Sequence, residues 1–182
     1  MWSLHRLKRL TMKNLFFAAL FFLSIVPGFS QQSEVRQIGS FNSVKAGEAI
    51  DVYLKKGDKE QVKVEVTGTP LSNVLTEISG TYLKIHMKEG DYRTNDVKVY
   101  VTYVNLEKIS ASSASSIFSE NIIKANQIEI SASSAASVEV SLDVQNLTVD
   151  VSSAGDLTLE GKTKKMEIEA SSAGNIDAYN LE

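Results

Sequence analysis

Few side chains in this sequence have the type and spacing that chemistry requires. Histidine occurs only at His5 and His86, and cysteine not at all. His5 falls in an apolar leader, which leaves His86 as the one imidazole for any site. Structural and catalytic zinc sites draw three or four ligands from His, Cys and carboxylates, and haem iron is held by a few axial side chains, histidine foremost. No metal or cofactor is therefore expected. Ser-His-Asp catalysis would have to recruit His86, and the serines fall in a repeat whose logic is structural. His86 reads as an ordinary strand residue, and the expected set of catalytic residues is empty.

Carboxylates are plentiful. Glu139, Asp150, Glu160, Glu167 and Glu169 could in principle include a pair at glycosidase separation, but acids at regular spacing on a polar face are what solubility asks for. Asp156, Asn175 and Asp177 lie near turns, yet the Gly-Gly-x-Gly-x-Asp nonapeptide of calcium-binding β-rolls is absent. Recognition is the remaining chemistry. Tyr92 and Arg93 set an aromatic face and a forked donor side by side on the polar connection from Lys88 to Asp96, and connections carry function more often than cores do. These two are the expected binding residues.

The elements that must hold such residues begin after residue 30. Arg6, Lys8, Arg9 and Lys13 precede an apolar run from Leu15 to Val26, followed by Pro27-Gly28-Phe29-Ser30. That order reads as a secretory signal peptide, residues 1–30, cleaved after Ser30, with either Met1 or Met12 as the start. An anchor left in place would need about 20 apolar residues, more than this run supplies. Losing four basic residues takes the formal net charge from −3 to −7. An acidic chain without a basic cluster argues against nucleic acid and against insertion into anionic membranes. Without cysteine the exported protein has no disulfides and no acylated anchor of the lipoprotein kind.

One motif dominates the remainder, residues 31–182. Ser112-Ser113-Ala114 returns as Ser133-Ser134-Ala135, Ser152-Ser153-Ala154 and Ser171-Ser172-Ala173, at spacings of 21, 19 and 19 residues. A fixed period near twenty signals stacked units. Between the copies apolar residues alternate, as in Ile128-Glu129-Ile130, Leu147-Thr148-Val149 and Met166-Glu167-Ile168, the pattern of half-buried strands. The less regular part, 31–108, alternates in Ile50–Leu54, Val62–Val66, Tyr82–Met87 and Val97–Val101. Thr67–Gly80 departs from it and suits one helical turn opened by Pro70 or a loop. Gln31–Gly39 reads as an extended lead-in.

Two architectures fit the period: a parallel solenoid with one repeat per coil, and an antiparallel meander with one hairpin per repeat. No Asn-Gly or Asp-Gly hairpin turn follows Ser112, and a flat meander would leave open edges and a thin core. The expectation is a right-handed parallel β-helix of 19–21 residues per coil, two main strands to each coil. Ser113, Ser134, Ser153, Ser172, Gly155 and Gly174 form its corners. Counting by twos from the buried residues turns the second serine of each copy inward.

The landmarks Phe41-Asn42-Ser43-Val44, Ile50–Leu54 before Lys56-Gly57-Asp58, Tyr82-Leu83-Lys84-Ile85, Val97–Val101 and the Ser-Ser-Ala-Gly-Asp/Asn repeats together resemble the putative auto-transporter adhesin, head GIN domain family. The resemblance covers about Val35 to Glu182. It departs where Ser115 and Ala136 stand for the later Gly155 and Gly174. It implies an exported, non-enzymatic adhesion or interaction module of the bacterial cell envelope, periplasmic, outer-membrane-associated or secreted, whose partner is a protein or a glycan. The alternatives are a β-helical protein that binds or cleaves extracellular polysaccharide, and a structural subunit that stacks end to end as a homo-oligomer through an open last coil.

Overall fold

Alternation becomes strand wherever it occurs. The computed structural model describes residues 31–90 and 96–182; the expected leader (1–30) and the pair Tyr92 and Arg93 lie outside the described residues. Seven strands precede the serine repeats: β1 (Gln32–Arg36), β2 (Ser43–Ala46), β3 (Asp51–Lys56), β4 (Gln61–Thr67), β5 (Val74–Ser79), β6 (Tyr82–Met87) and β7 (Asp96–Tyr103). Six more follow: β8 (Lys108–Ala111), β9 (Ser116–Ser119), β10 (Ile123–Ala132), β11 (Ser137–Val151), β12 (Asp156–Ala170) and β13 (Asn175–Leu181). Pro70 opens a short 3-10 turn, Leu71–Asn73. The segment beyond it and the lead-in, both left without a strand by the sequence pattern, supply β5 and β1.

All thirteen strands join one sheet in the order β1-β4-β7-β3-β9-β11-β10-β8-β2-β6-β5, with β12 on β11 and β13 on β12. It is a mixed, curled half-barrel, not a right-handed parallel β-helix. Three findings overturn that expectation. The pairs β1–β4, β4–β7 and β5–β6 are antiparallel. The chain is not laid down layer after layer, because β2 lies between β6 and β8 and β3 lies between β7 and β9. Nor does each repeat supply two strands: β11 and β12 are each one unbroken strand of 15 residues. At Gln145-Asn146 two successive residues face solvent between buried Val144 and Leu147, so β11 bends without ending. The serine period governs only the second half, where it sets parallel registers such as Ile130 beside Val149 and Val149 beside Ile168. The first half has no repeat, and antiparallel neighbours leave no such trace in sequence.

The buried side is built from the alternating apolar positions. Val44, Ile109, Ile130 and Val149 form one in-register row and Val52, Ile117, Val138 and Leu157 another, all at 0% exposure. Burying each such side chain contributes roughly 1.5–3 kcal/mol. The rows weaken at β12, whose residues Met166–Ala170 have a strand neighbour on one side only. Ile168 therefore remains 45% exposed.

Each Ser-Ser-Ala copy is a tight turn. Its second serine and its alanine both take left-handed φ, 53° and 59° at Ser113-Ala114 and 54° and 59° at Ser134-Ala135, and the same holds for the other two copies. The fourth residue donates its N–H to the first serine's carbonyl, at 3.2 Å for Ser115→Ser112 and 2.8 Å for Gly155→Ser152. Two successive positive φ values with that bond mark a type I′ turn. Glu48-Ala49 takes the same pair of left-handed φ values, 63° and 56°, with no serine to announce it.

These turns correct the expected parity. Ser113, Ser134, Ser153 and Ser172 face solvent, and Ser115, Ala136 and Gly155 are the buried members of their turns. Two left-handed residues reverse the chain, so counting by twos does not carry through the turn. Gly155 is required by close approach: a Cβ there would lie 2.5 Å from the Ala132 carbonyl oxygen.

Two outcomes follow. Replacing Ile130 by Ala should cost about 2–5 kcal/mol of unfolding free energy, and Ile168→Ala under about 1 kcal/mol because half of that side chain is already in water; urea melts of both variants measure the difference. Ala135→Gly should raise stability by about 1 kcal/mol, since glycine takes left-handed φ without the steric cost that alanine bears. A lower urea midpoint for Ala135→Gly would contradict that reading of the turn.

Candidate interaction surface

The catalytic types of side chain do not converge. His86 is half-buried on β6. Its Nε2 lies 3.6 Å from Glu77 Oε2 and its Nδ1 is 3.1 Å from the Met87 carbonyl oxygen. No hydrogen bond joins it to a serine among the described residues. Glu139, Asp150, Glu160, Glu167 and Glu169 are exposed and spread along β11 and β12. Asp156 accepts a hydrogen bond from Asn175 Nδ2 at 2.8 Å, and Asp177 accepts the Tyr179 N–H at 3.2 Å.

The aromatic residues of the β7–β3–β9 wall form a ladder. Tyr53 stacks on Tyr100 with ring centroids 5.1 Å apart and on Phe118 at 5.3 Å, as their in-register positions demand. Lys63 Nζ sits 5.4 Å from the centre of the Tyr100 ring and pairs with Glu65 at 2.6 Å. The hydrogen bond from Lys63 holds the Glu65 carboxyl below its ordinary range. Rings stacked on one another spend their faces on each other, so this ladder stiffens the wall and offers solvent mainly edges.

The opposite wall, β5–β6–β2–β8–β10–β11, is grooved. Four shallow depressions lie side by side, of about 360, 430, 350 and 330 Å³. Neighbours share lining residues. The first two share Lys45 and Lys84, the next two Lys108 and Glu129, and the last two Glu107 and Gln127. They follow one another along the strand direction, from the Gly47 and Ser112 end down to Asn105 and Lys124, and make one extended channel.

Register explains its lining. Outward positions on parallel neighbours fall into rows across the wall. One row runs Lys84, Lys45, Ser110, Ser131, Asp150 and Glu169; the other runs Tyr82, Ser43, Lys108, Glu129, Thr148 and Glu167. Across its width the channel is thus cationic on the β6–β2 side, hydroxyl-rich in the middle and acidic at Asp150 of β11. Ser131 Oγ donates to Ser110 Oγ at 3.0 Å. Lys108 is paired with Glu129, whose hydrogen bond raises the Lys108 ammonium above its usual pKa. Lys45 and Lys84, directly opposite one another, have no ion pair or hydrogen bond with any described residue. Glu77 lies across from Lys84 on β5, but its carboxylate is turned toward His86.

Sequence reasoning missed this channel. Lys45 and Lys84 are 39 residues apart, and each reads as the solvent-facing member of its own strand. The outward parity of each was visible; their adjacency was not.

Tyr103, at the end of β7, is 2% exposed, and its hydroxyl has no hydrogen-bond partner among the described residues. Burial pushes its phenol up to about 12. Below the ordinary phenol value near 10 that shift has no effect on stability. As pH rises from about 10 to 12 the unfolded chain ionises first and stability is lost. Tyr103→Phe should therefore stabilise the fold by about 1–3 kcal/mol, the cost of an unsatisfied buried hydroxyl, and should flatten the alkaline loss. Equilibrium melts at pH 7 and pH 11 test both statements.

A family model described as putative auto-transporter adhesin, head GIN domain, matches residues 40–182. No curated protein is significantly similar. Among solved structures, a putative adhesin from Bacteroides fragilis NCTC 9343 superposes with a TM-score of 0.78 at 21% identity, over 85% of this chain and 73% of that one. A putative adhesin from Parabacteroides merdae ATCC 43184 gives 0.74 at 20%, over 80% and 63%. A putative lipid binding protein from Parabacteroides distasonis ATCC 8503 gives 0.61 at 16%, over 83% and 74%. At these identities the likeness is one of fold.

Proposed function

The chain belongs to the putative auto-transporter adhesin, head GIN domain family, and from that premise we propose that it is a non-enzymatic, exported recognition module of the cell envelope. Its working surface is the channel that runs along the wall built of β6, β2, β8, β10 and β11. The observation that carries this reading is the continuity of the channel. Compact ligands are held in concave pockets that bury most of their surface; four open, polar depressions joined end to end suit an extended chain laid along them. Family membership supports the adhesin-like and envelope parts of the reading, and fold by itself would not. The expected pair Tyr92 and Arg93 belongs to the connection between β6 and β7, next to the channel in sequence but outside the described residues.

Beads coated with the protein should be retained under flow on surfaces bearing extracellular glycans. Ser131→Arg, which fills the middle of the channel, should lower retention several-fold, and Thr158→Arg, on the other wall, should leave it unchanged. Equal retention of wild type and Ser131→Arg would remove the channel from the function.

A further inference from the structure

We infer that the Lys45–Lys84 end of the channel is a subsite for the carboxylate of an acidic sugar, so that the extended ligand is a uronate-bearing polysaccharide. This rests on the channel being the working surface.

Like charges directly opposite on neighbouring strands destabilise a sheet, and strand neighbours lie only about 4.8 Å apart. Elsewhere on this wall a lysine faces an acid on the neighbouring strand: Lys108 pairs with Glu129 and Lys124 with Asp143. Lys45 and Lys84 have no such partner. Glu48 and Glu77 line the first depression with them, but Glu77 is turned toward His86 and Glu48 accepts the Met87 N–H, and neither forms an ion pair with either lysine. Both lysines line two adjoining depressions, and the second contains neither Glu48 nor Glu77, so an anion entering there meets both ammonium groups.

The rest of the row narrows the ligand. Next to the lysines come the Ser110 and Ser131 hydroxyls and then Asp150, groups that exchange hydrogen bonds with neutral alcohols. A uronate sugar whose carboxylate lies between the two lysines sets its hydroxyls against Ser110 and, beyond it, Ser131, across the width of the channel. Charge-assisted hydrogen bonds from two lysines to one carboxylate supply the strongest contacts, and the hydroxyl contacts set orientation.

Affinity electrophoresis of the purified protein tests this with polygalacturonate, dextran and phosphatidylglycerol vesicles as probes. Polygalacturonate should retard the protein, increasingly so at low salt, and dextran should not. The double variant Lys45→Gln/Lys84→Gln should bind polygalacturonate about tenfold or more weakly, about 1.4 kcal/mol. The control Lys164→Gln/Lys165→Gln, with the same charge change on β12, should bind as wild type. Unchanged melting temperatures exclude misfolding as the cause. The inference is overturned if polygalacturonate fails to bind, if the double variant binds it normally, or if vesicles alone bind through the two lysines. Loss of glycan attachment in Ser131→Arg with normal attachment in the lysine variant would overturn the subsite and keep the channel. Normal attachment in both would overturn the two together.

Discussion

The backbone ladder through the left-handed turns holds this molecule in register. The alanine of each turn donates its N–H to the second serine's carbonyl in the next: Ala114 to Ser134 at 3.0 Å, Ala135 to Ser153 at 3.1 Å and Ala154 to Ser172 at 3.1 Å. Ala49 extends the series to Ser113 at 3.0 Å. Holding a non-glycine residue at left-handed φ costs roughly 1–2 kcal/mol. The turns persist because they aim the flanking strands so that Val, Ile and Leu rows meet inside, where a slip of one residue would turn every one of them outward. Small side chains suit the exposed tips, since nothing there needs to pack. Ser115, the buried member of the first turn, has its hydroxyl within 2.9 Å of the Ser112 carbonyl oxygen and 3.1 Å of that of Ala46, and accepts the Ser112 N–H at 3.2 Å.

From that register follow the two walls and their different characters. On one, identical parity brings Tyr100, Tyr53 and Phe118 together, and their rings consume each other's faces. On the other, the same rule lines up lysines, hydroxyls and carboxylates and leaves a graded electrostatic channel. Neither wall needs a catalytic group to be explained. A surface assembled row by row in this way can present chemistry at strand-spaced intervals, which suits a ligand that is itself a repeating chain.

Much of this was readable beforehand, and the gaps have physical causes. The alternation placed β3, β4, β6 and β7 and the buried Ile128, Ile130, Leu147 and Val149, because one buried face imposes period two on any strand; Met166 and Ile168 follow the same pattern yet stay exposed, because their stretch of β12 has a neighbour on one side only. β1 and β5 escaped because they are exposed edge strands with little buried face to pattern. The parity assigned to the second serines failed because positive φ is a property of the turn that neither serine nor alanine advertises. The parallel β-helix failed because the period speaks for residues 109–182 and says nothing about how 31–108 attach to them.

The amino-acid order by itself determined an all-β chain, its family, the spacing of its turns and the inward residues between them, since these depend on local alternation and on a repeated motif. Only the tertiary structure decided the direction of the first strands, the insertion of β2 and β3 between later neighbours, and the meeting of Lys45 with Lys84 and Ser110. The last two depend on contacts between residues 39 to 65 positions apart, and which distant strands pair is settled by how the whole sheet closes over its apolar rows.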